Sequence, residues 1–140
     1  MKYYAVIDTN VIVSSMLKHE SIPGEILDLV LSKTIVPLLN QEIIDEYEDV
    51  LKRNKFGFKN IEVDNLINNI KANSIFLERE QTLEDFIDED DIIFYEIVMS
   101  ARHTMDAFLI TGNIKHYPIK NFVVTPKQMI DIINSKKQVP

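Results

Sequence analysis

The sequence predicts an α/β fold in which helices surround a mostly parallel sheet of four or five strands. Short apolar segments of strand length alternate with amphipathic segments of helix length along the whole chain. This alternation is typical of parallel sheets, because consecutive parallel strands need a crossover helix between them. The 140 residues contain no internal repeat and no linker, so we expect a single domain over residues 1–140.

The chain opens with a strand and two helices. The apolar residues 3–7 predict a buried strand that ends at Asp8. The next segment, residues 9–18, has the apolar spacing of a short helix. Pro23 suits the first turn of a second helix. The apolar positions of that helix fall on one face and are Ile26, Leu27, Val30 and Leu31.

A second strand and two further helices follow. Residues 34–39 predict a short strand, in which Pro37 indicates a sheet edge or a strand end. Asn40 is a typical N-cap, and the apolar stripe after it predicts a helix that reaches Leu51. A basic loop at residues 54–60 then leads to another amphipathic helix at residues 63–73.

The second half of the chain predicts three strands and two helices. The first of these helices is apolar on nearly every side, which indicates that it is buried. An acidic loop precedes it, and a polar tail that we expect to be frayed ends the chain. We expect strands at residues 74–77, 107–111 and 121–124, the acidic loop at 84–91, the buried helix at 92–102, the last helix around 129–133 and the tail at 135–140.

Composition excludes several classes of protein. The absence of cysteine excludes disulfides, thiolate metal sites and a cysteine nucleophile. No apolar run approaches the ~20 residues that span a bilayer, and no signal peptide opens the chain, so we expect a cytoplasmic protein without membrane contact. The net charge of −7 argues against a broad basic face for nucleic acid. It fits either simple solubility or carboxylates gathered around divalent cations.

Polar residues stand where the predicted strands end. Asp8 follows the first strand, Asn113 follows the fourth in a Thr-Gly-Asn step, and acids at 88–91 open the buried helix. If the first and fourth strands are parallel neighbours, these residues meet at one sheet edge, where function collects in such folds. Carboxylate oxygens suit Mg²⁺ or Mn²⁺, and these ions activate water for phosphodiester displacement.

The order and spacing of five segments resemble the PIN-domain family. The similarity is strongest to the branch described as toxins of toxin–antitoxin pairs, and it covers roughly residues 4–134. The segments run from Val6 to Ser15, Glu42 to Leu51, Asp88 to Phe94, Asp106 to Pro118 and Val124 to Pro126.

This resemblance implies a three-layer α/β/α sandwich and an endoribonuclease that hydrolyses phosphodiester bonds with metal-activated water. It implies one Mg²⁺ or Mn²⁺, or two, together with an RNA substrate, an antitoxin protein and a homodimer as partners. By the match, Asp8, Glu46 and Asp91 are the catalytic metal ligands. The positions that assist the metal are Asp88 and Asn113, and the supporting positions are Thr9, Asn10, Ser14 and Thr111.

Each acidic candidate has a structural alternative. Asp8 and Asp91 both precede predicted helices, where an aspartate serves equally as N-cap or dipole partner. Glu46 and Glu48 flank the apolar stripe of their helix about equally, so periodicity does not choose between them. For Asp88 and Asp90 the alternative is a solvated acidic loop.

Asn113 stands where many PIN domains carry an aspartate, and its alternative is a simple turn residue after Gly112. The missing charge motivates a rival function, a non-catalytic PIN-like domain that binds RNA or protein. Asp106 lies upstream, either at the site or at the strand start. Candidate RNA contacts are Lys115 and His116 after the fourth strand, and Arg53 and Lys55 in the basic loop with its aromatic residues. An exposed loop and helix-dipole matching explain these cations as well.

Overall fold

A computed structural model describes residues 1–137, which contain five strands and six helices. The strands are β1 Tyr3–Ile7, β2 Ile35–Leu39, β3 Ile75–Phe76, β4 Ala107–Ile110 and β5 Val123–Val124. The helices are α1 Thr9–Leu17, α2 Ile22–Leu31, α3 Gln41–Leu51, α4 Asn60–Ala72, α5 Ile92–Ala101 and α6 Pro126–Lys137. All predicted elements are therefore present, although α4 begins three residues earlier than the pattern indicated.

The strands form one parallel sheet in the order β3-β2-β1-β4-β5. β1 lies at the centre and pairs with both β2 and β4, with Ile7 opposite Ile110 at its last position. The predicted pairing of the first and fourth strands is thus confirmed. Because parallel strands end at the same edge, Asp8 and Thr111 are neighbours there.

Helices cover both faces of this sheet. All five residues of β2 are buried, and successive side chains of a strand point to opposite faces. Both faces must therefore be covered, as in other parallel sheets. α2 packs against α1, α4 and α6, whereas α5 packs across β1, β2 and β4. The result is the α/β architecture of five parallel strands flanked by six helices among the described residues.

Two local predictions are wrong. Pro37 indicated an edge or a strand end, but it lies inside β2, opposite Ala5 of β1. β3 pairs only with Leu38 and Leu39, so the missing N–H of Pro37 costs no ladder hydrogen bond on that side. The predicted fraying from residue 135 is also wrong as far as Lys137, because α6 continues to that residue. Residues 138–140 lie outside the described part of the chain.

Helix starts follow the capping signals. The Ile43 amide donates to Asn40 Oδ1 at 2.9 Å, which confirms Asn40 as the N-cap of α3. The Gly24 amide donates to Ser21 Oγ at 3.1 Å and starts α2, with Pro23 in its first turn as predicted. Among residues 1–137, no helix combines the length and apolar character needed to cross a bilayer.

Candidate active site

A pocket of about 310 Å³ opens at the edge of the sheet where β1 and β4 end. We name it the acidic pocket because five carboxylates line it. These are Asp8, Glu46, Asp88, Asp90 and Asp91. The remaining lining residues are Thr9, Asn10, Val13, Ser14, Val50, Arg53, Lys55, Phe56 and Phe94. Carboxylates that are distant in sequence therefore share one cavity with two cationic side chains, Arg53 and Lys55.

Asp8 is 5% exposed and lies at the inner end of the acidic pocket. Its Oδ2 accepts hydrogen bonds from Thr111 Oγ1 at 2.8 Å and from the Tyr117 hydroxyl at 3.0 Å. Burial raises the pKa of Asp8, and these two hydrogen bonds oppose that rise. Asp8 occupies the N-cap position of α1 without a full capping hydrogen bond, although the nearby backbone amides of Asn10 and Thr9 also lower its pKa. Thr111 and Tyr117 lower the pKa of this carboxyl more than the start of the helix does.

Glu46 reaches the acidic pocket from α3, and Glu48 does not. The Thr9 hydroxyl donates to Glu46 Oε2 at 3.4 Å. Glu48 is exposed and forms an ion pair with Lys52 at 3.0 Å. Burial raises the pKa of Glu46, and the nearby charge of Asp90 raises it further. The tertiary structure thus makes the choice that helical periodicity left open.

Asp91 ends a 3-10 turn, Glu89–Asp91, directly before α5. Its Oδ2 lies 3.3 Å from His116 Nδ1, and its side chain makes no capping hydrogen bond to α5. Burial, followed by the charges of Asp8 and Asp88, raises the pKa of Asp91 to about 6. A carboxyl shifted in this direction is typical of a functional site.

Asp88 and Asp90 line the same pocket from the 3-10 turn. Asp88 Oδ1 accepts the Asp90 amide at 2.9 Å, so Asp88 also caps this turn. Asp90 faces Glu46 closely enough to raise its pKa. The solvated-loop alternative therefore does not describe either residue fully, since both contribute charge to the acidic pocket.

The polar residues after β1 brace the site. Thr9 bonds Glu46 as described, and Asn10 Oδ1 accepts the Gly112 amide at 3.3 Å. Asn10 thereby ties the start of α1 to the end of β4. Ser14 is exposed and lines the acidic pocket one turn further along α1.

Three sequence candidates lie elsewhere. Asn113 is exposed and is absent from the lining of the acidic pocket, and its amide donates to Thr111 Oγ1 at 3.0 Å. Lys115 is exposed and likewise outside the lining. Asp106 pairs with Arg102 at 3.4 Å at the start of β4, the opposite end of the strand from the site.

A PIN-domain family model matches residues 4–115 of the chain. The chain belongs to the PIN-domain family. This confirms the resemblance to the family for the segments within residues 4–115, and PIN domains are generally metal-dependent nucleases. An uncharacterized protein of Methanocaldococcus jannaschii is 27% identical over 94% of this chain and 92% of its own length. No solved structure matches the chain significantly.

The acidic pocket suits a hard divalent ion by the chemistry of its donors, which are carboxylate and amide oxygens. In the described part of the chain, however, no three His, Cys, Asp or Glu side chains lie close enough to hold one ion together. Three of the five carboxylates instead have side-chain partners of their own: Thr111 and Tyr117 for Asp8, Thr9 for Glu46, and His116 for Asp91. The donors fit an ion held by one or two carboxylates and water, the usual arrangement for Mg²⁺.

Two tyrosines of this PIN domain support the end of β1, although the sequence pattern predicts no role for them there. Tyr117 donates to Asp8, and the hydroxyl of Tyr47 donates to the carbonyl of Ile7, the residue before Asp8. Tyr47 belongs to the apolar stripe of α3, so its pattern indicated only core packing. Tyr117 lies 109 positions from Asp8, and no local spacing reveals such a contact.

Proposed function

We propose that this PIN domain is a divalent-metal-dependent endoribonuclease in which Asp8, Glu46 and Asp91 form the site for Mg²⁺ or Mn²⁺, with one or two of these carboxylates binding the ion directly and the rest acting through water. The observation that supports it most is the acidic pocket, to which β1, α3 and the turn before α5 each bring one of these residues. A divalent ion bound there supplies positive charge beside a phosphodiester and lowers the pKa of water.

The protein's own residues have separate tasks in this proposal. Thr111 and Tyr117 hold Asp8 in one orientation through two hydrogen bonds to the same oxygen. Thr9 orients Glu46, and His116 orients Asp91. Side chains that fix ligating carboxylates in this way are characteristic of functional metal sites.

An RNA cleavage assay with Mn²⁺, Mg²⁺ or EDTA tests the proposal, using wild type, Asp8→Asn, Glu46→Gln and Glu48→Gln. We expect metal-dependent cutting that falls at least about a hundredfold in Asp8→Asn and Glu46→Gln, because several kcal/mol of charge stabilisation are lost. Glu48→Gln makes the same charge change on the same helix, outside the pocket lining. It should cut RNA at the wild-type rate.

A different pattern would contradict the proposal. Equal loss in Glu46→Gln and Glu48→Gln would mean that total charge, not the acidic pocket, controls cutting. Absence of cutting, together with no saturable Mn²⁺ effect on the NMR signals of Asp8, would favour the non-catalytic binding domain. The missing charge at Asn113 motivates that second candidate, together with the finding that no three acidic side chains among residues 1–137 are grouped to hold one ion.

The toxin role, an antitoxin partner and a homodimer form the finer part of this proposal. Their support is the resemblance of the five sequence segments to the toxin branch of the family.

A further inference from the structure

One wall of the acidic pocket carries cations and aromatic rings that the proposed chemistry does not use. We name it the basic–aromatic loop, residues 53–58, which joins α3 to α4. Arg53, Lys55 and Phe56 of this loop line the same pocket as the carboxylates. The loop is thus placed beside any phosphodiester that lies among the acids.

The loop presents Phe56 as a supported, half-buried ring. The ring of Phe58 stacks on it with a centroid distance of 5.7 Å and an interplanar angle of 13°. Gly57 between them has a φ of 69°, a left-handed conformation that favours glycine and lets the two rings lie on one side. Phe58 does not line the pocket, whereas Phe56 does.

Lys55 has an ammonium group that is available for a new partner. Its Nζ lies 5.0 Å from the centroid of the Phe56 ring, and its side chain is exposed. No carboxylate lies within ion-pair distance of it among residues 1–137, in contrast to Arg53, which pairs with Asp49 at 3.1 Å. Lys52 points away and pairs with Glu48 and Asp64.

These groups match the needs of a single nucleic-acid strand. A phosphate oxygen accepts a hydrogen bond from the Lys55 ammonium, and a base stacks on the Phe56 ring where that ammonium lay. Lys55 and Phe56 thus each exchange their mutual contact for a contact with the nucleotide. Base stacking on an aromatic ring combined with backbone charge is the general mode of single-strand binding. In a protein of net charge −7, this wall supplies positive charge where a phosphate must pass the acids.

We propose that Phe56 and Lys55 form a nucleotide subsite, in which Phe56 stacks on the base next to the scissile phosphate and Lys55 binds the adjoining phosphate. The proposal rests on the ribonuclease function of the acidic pocket. It assigns to this loop the selection of an unpaired base, since a base inside a duplex has no free face for the ring.

Binding to a short single-stranded RNA that carries 2-aminopurine tests the subsite. Ca²⁺ replaces Mn²⁺ in this titration. Like Mg²⁺, it binds carboxylate oxygens, but it does not require the strict octahedral geometry of Mg²⁺. We expect Phe56→Leu to weaken binding about 5- to 100-fold and to abolish the fluorescence quenching that stacking causes. Phe76→Leu is the matched control, since Phe76 is a half-exposed aromatic on β3, outside the pocket.

The lysine has its own control in the same loop region. Lys55→Ala should reduce the slope of log affinity against log salt by about 0.7, the value for one phosphate contact on a single strand. Lys59→Ala removes an exposed lysine outside the pocket lining and should leave that slope unchanged. The same RNA sequence in a duplex should bind Phe56→Leu and wild type with equal affinity. Single-stranded DNA of the same sequence shows whether the 2′-hydroxyl of the sugar contributes to the affinity.

The outcomes separate this proposal from the nuclease function. Cutting that needs Asp8, with Phe56→Leu and Phe76→Leu binding equally, would overturn the subsite and leave the nuclease standing. Binding that depends on Phe56, without cutting in Mn²⁺, would support base stacking on Phe56 but overturn the nuclease and, with it, the placement of that base beside a scissile phosphate. A wild type that neither binds nor quenches the labelled RNA would overturn the subsite directly.

Discussion

At the scale of single residues, the environment of Asp8 decides the character of the site. A carboxylate that is 5% exposed would normally be costly, because burial favours its neutral form. Thr111 and Tyr117 both donate to Oδ2 and favour the charged form. Phe86 packs edge-on against Tyr117, with ring centroids 5.9 Å apart, and helps to keep that hydroxyl in place.

Removing either donor should raise the pKa of Asp8. In Tyr117→Phe and Thr111→Val the charged carboxylate loses one hydrogen bond, so protonation becomes easier and the pKa rises. We also expect Mn²⁺ affinity to fall about 10- to 100-fold, as is typical when a ligand loses its orienting partner. NMR titration of the Asp8 carboxyl measures the first effect and calorimetry the second.

Thr104→Val provides the control for both variants. Thr104 lies between α5 and β4, at the opposite end of β4 from the acidic pocket, and its hydroxyl donates to the carbonyl of Ala101, the last residue of α5. A pKa of Asp8 that stays unchanged in Tyr117→Phe and Thr111→Val would show that the two hydrogen bonds do not control the carboxylate.

At the scale of secondary-structure elements, Arg79 joins the two helices that carry Glu46 and Asp91. It follows β3 and donates to Glu42 of α3 at 2.7 Å and to Glu96 of α5 at 2.6 Å. Glu42 lies one turn before Glu46, and Glu96 lies within the second turn after Asp91. The guanidinium fork therefore fixes α3 and α5 behind the acidic pocket, and the Thr82 amide supplies a further bond to Glu96.

Replacing Arg79 by methionine should destabilise the protein strongly. Glu96 is 4% exposed, and loss of its cation leaves a buried charge, which typically costs about 3–5 kcal/mol. The control is Lys127→Met, which breaks an exposed pair with Asp131 worth about 0–1 kcal/mol. Urea unfolding compares the two variants.

The double variant Arg79→Met with Glu96→Leu gives a second check on this arginine. It removes both charges and should recover much of the lost stability, because apolar replacements of buried ion pairs are often neutral. Equal unfolding midpoints for Arg79→Met and Lys127→Met would contradict a role for Arg79 as the link between α3 and α5.

At the scale of the whole molecule, the acidic pocket couples folding to pH. The pKa values of Asp8, Glu46 and Asp91 are all raised in the folded protein. At pH values between the unfolded and the folded pKa of each group, the folded state therefore binds that group's proton more tightly than the unfolded state does. The free energy of unfolding contributed by these groups is present at low pH and is lost as pH rises through the folded pKa.

For the metal-free protein we therefore expect stability to fall between about pH 4 and pH 7, the range set by Asp91 with its pKa raised to about 6. Asp91 contributes on the order of 1 kcal/mol to this pH-dependent free energy of unfolding after solvent screening. Mn²⁺ should raise the melting temperature more at pH 7.5 than at pH 5, since it binds only the charged carboxylates of the folded state. Thermal melts in EDTA and in Mn²⁺ measure both effects.

Asp91→Asn and Asp131→Asn form the matched pair for this prediction. Asp131 is exposed on α6, and its variant should keep the full pH dependence, whereas Asp91→Asn should lose part of it. Identical pH profiles for Asp91→Asn and wild type would contradict the coupling.

The amino-acid sequence by itself determined the order of strands and helices, the single acidic edge and the five segments of the PIN-domain family. Local signals suffice for these features, because apolar period, caps such as Asn40 and strand-ending acids act over a few residues. Pro37 shows the limit of such signals, since its effect depends on which strand pairs beside it.

Only the tertiary structure decided which polar side chains share the acidic pocket. Glu46 enters it and Glu48 does not, although both flank the same stripe of α3. Asn113 is absent from its lining, and Tyr117 reaches Asp8 across 109 positions of sequence. The physical reason is that burial, hydrogen bonding and charge repulsion at this site depend on distances between elements, which chain order alone does not specify.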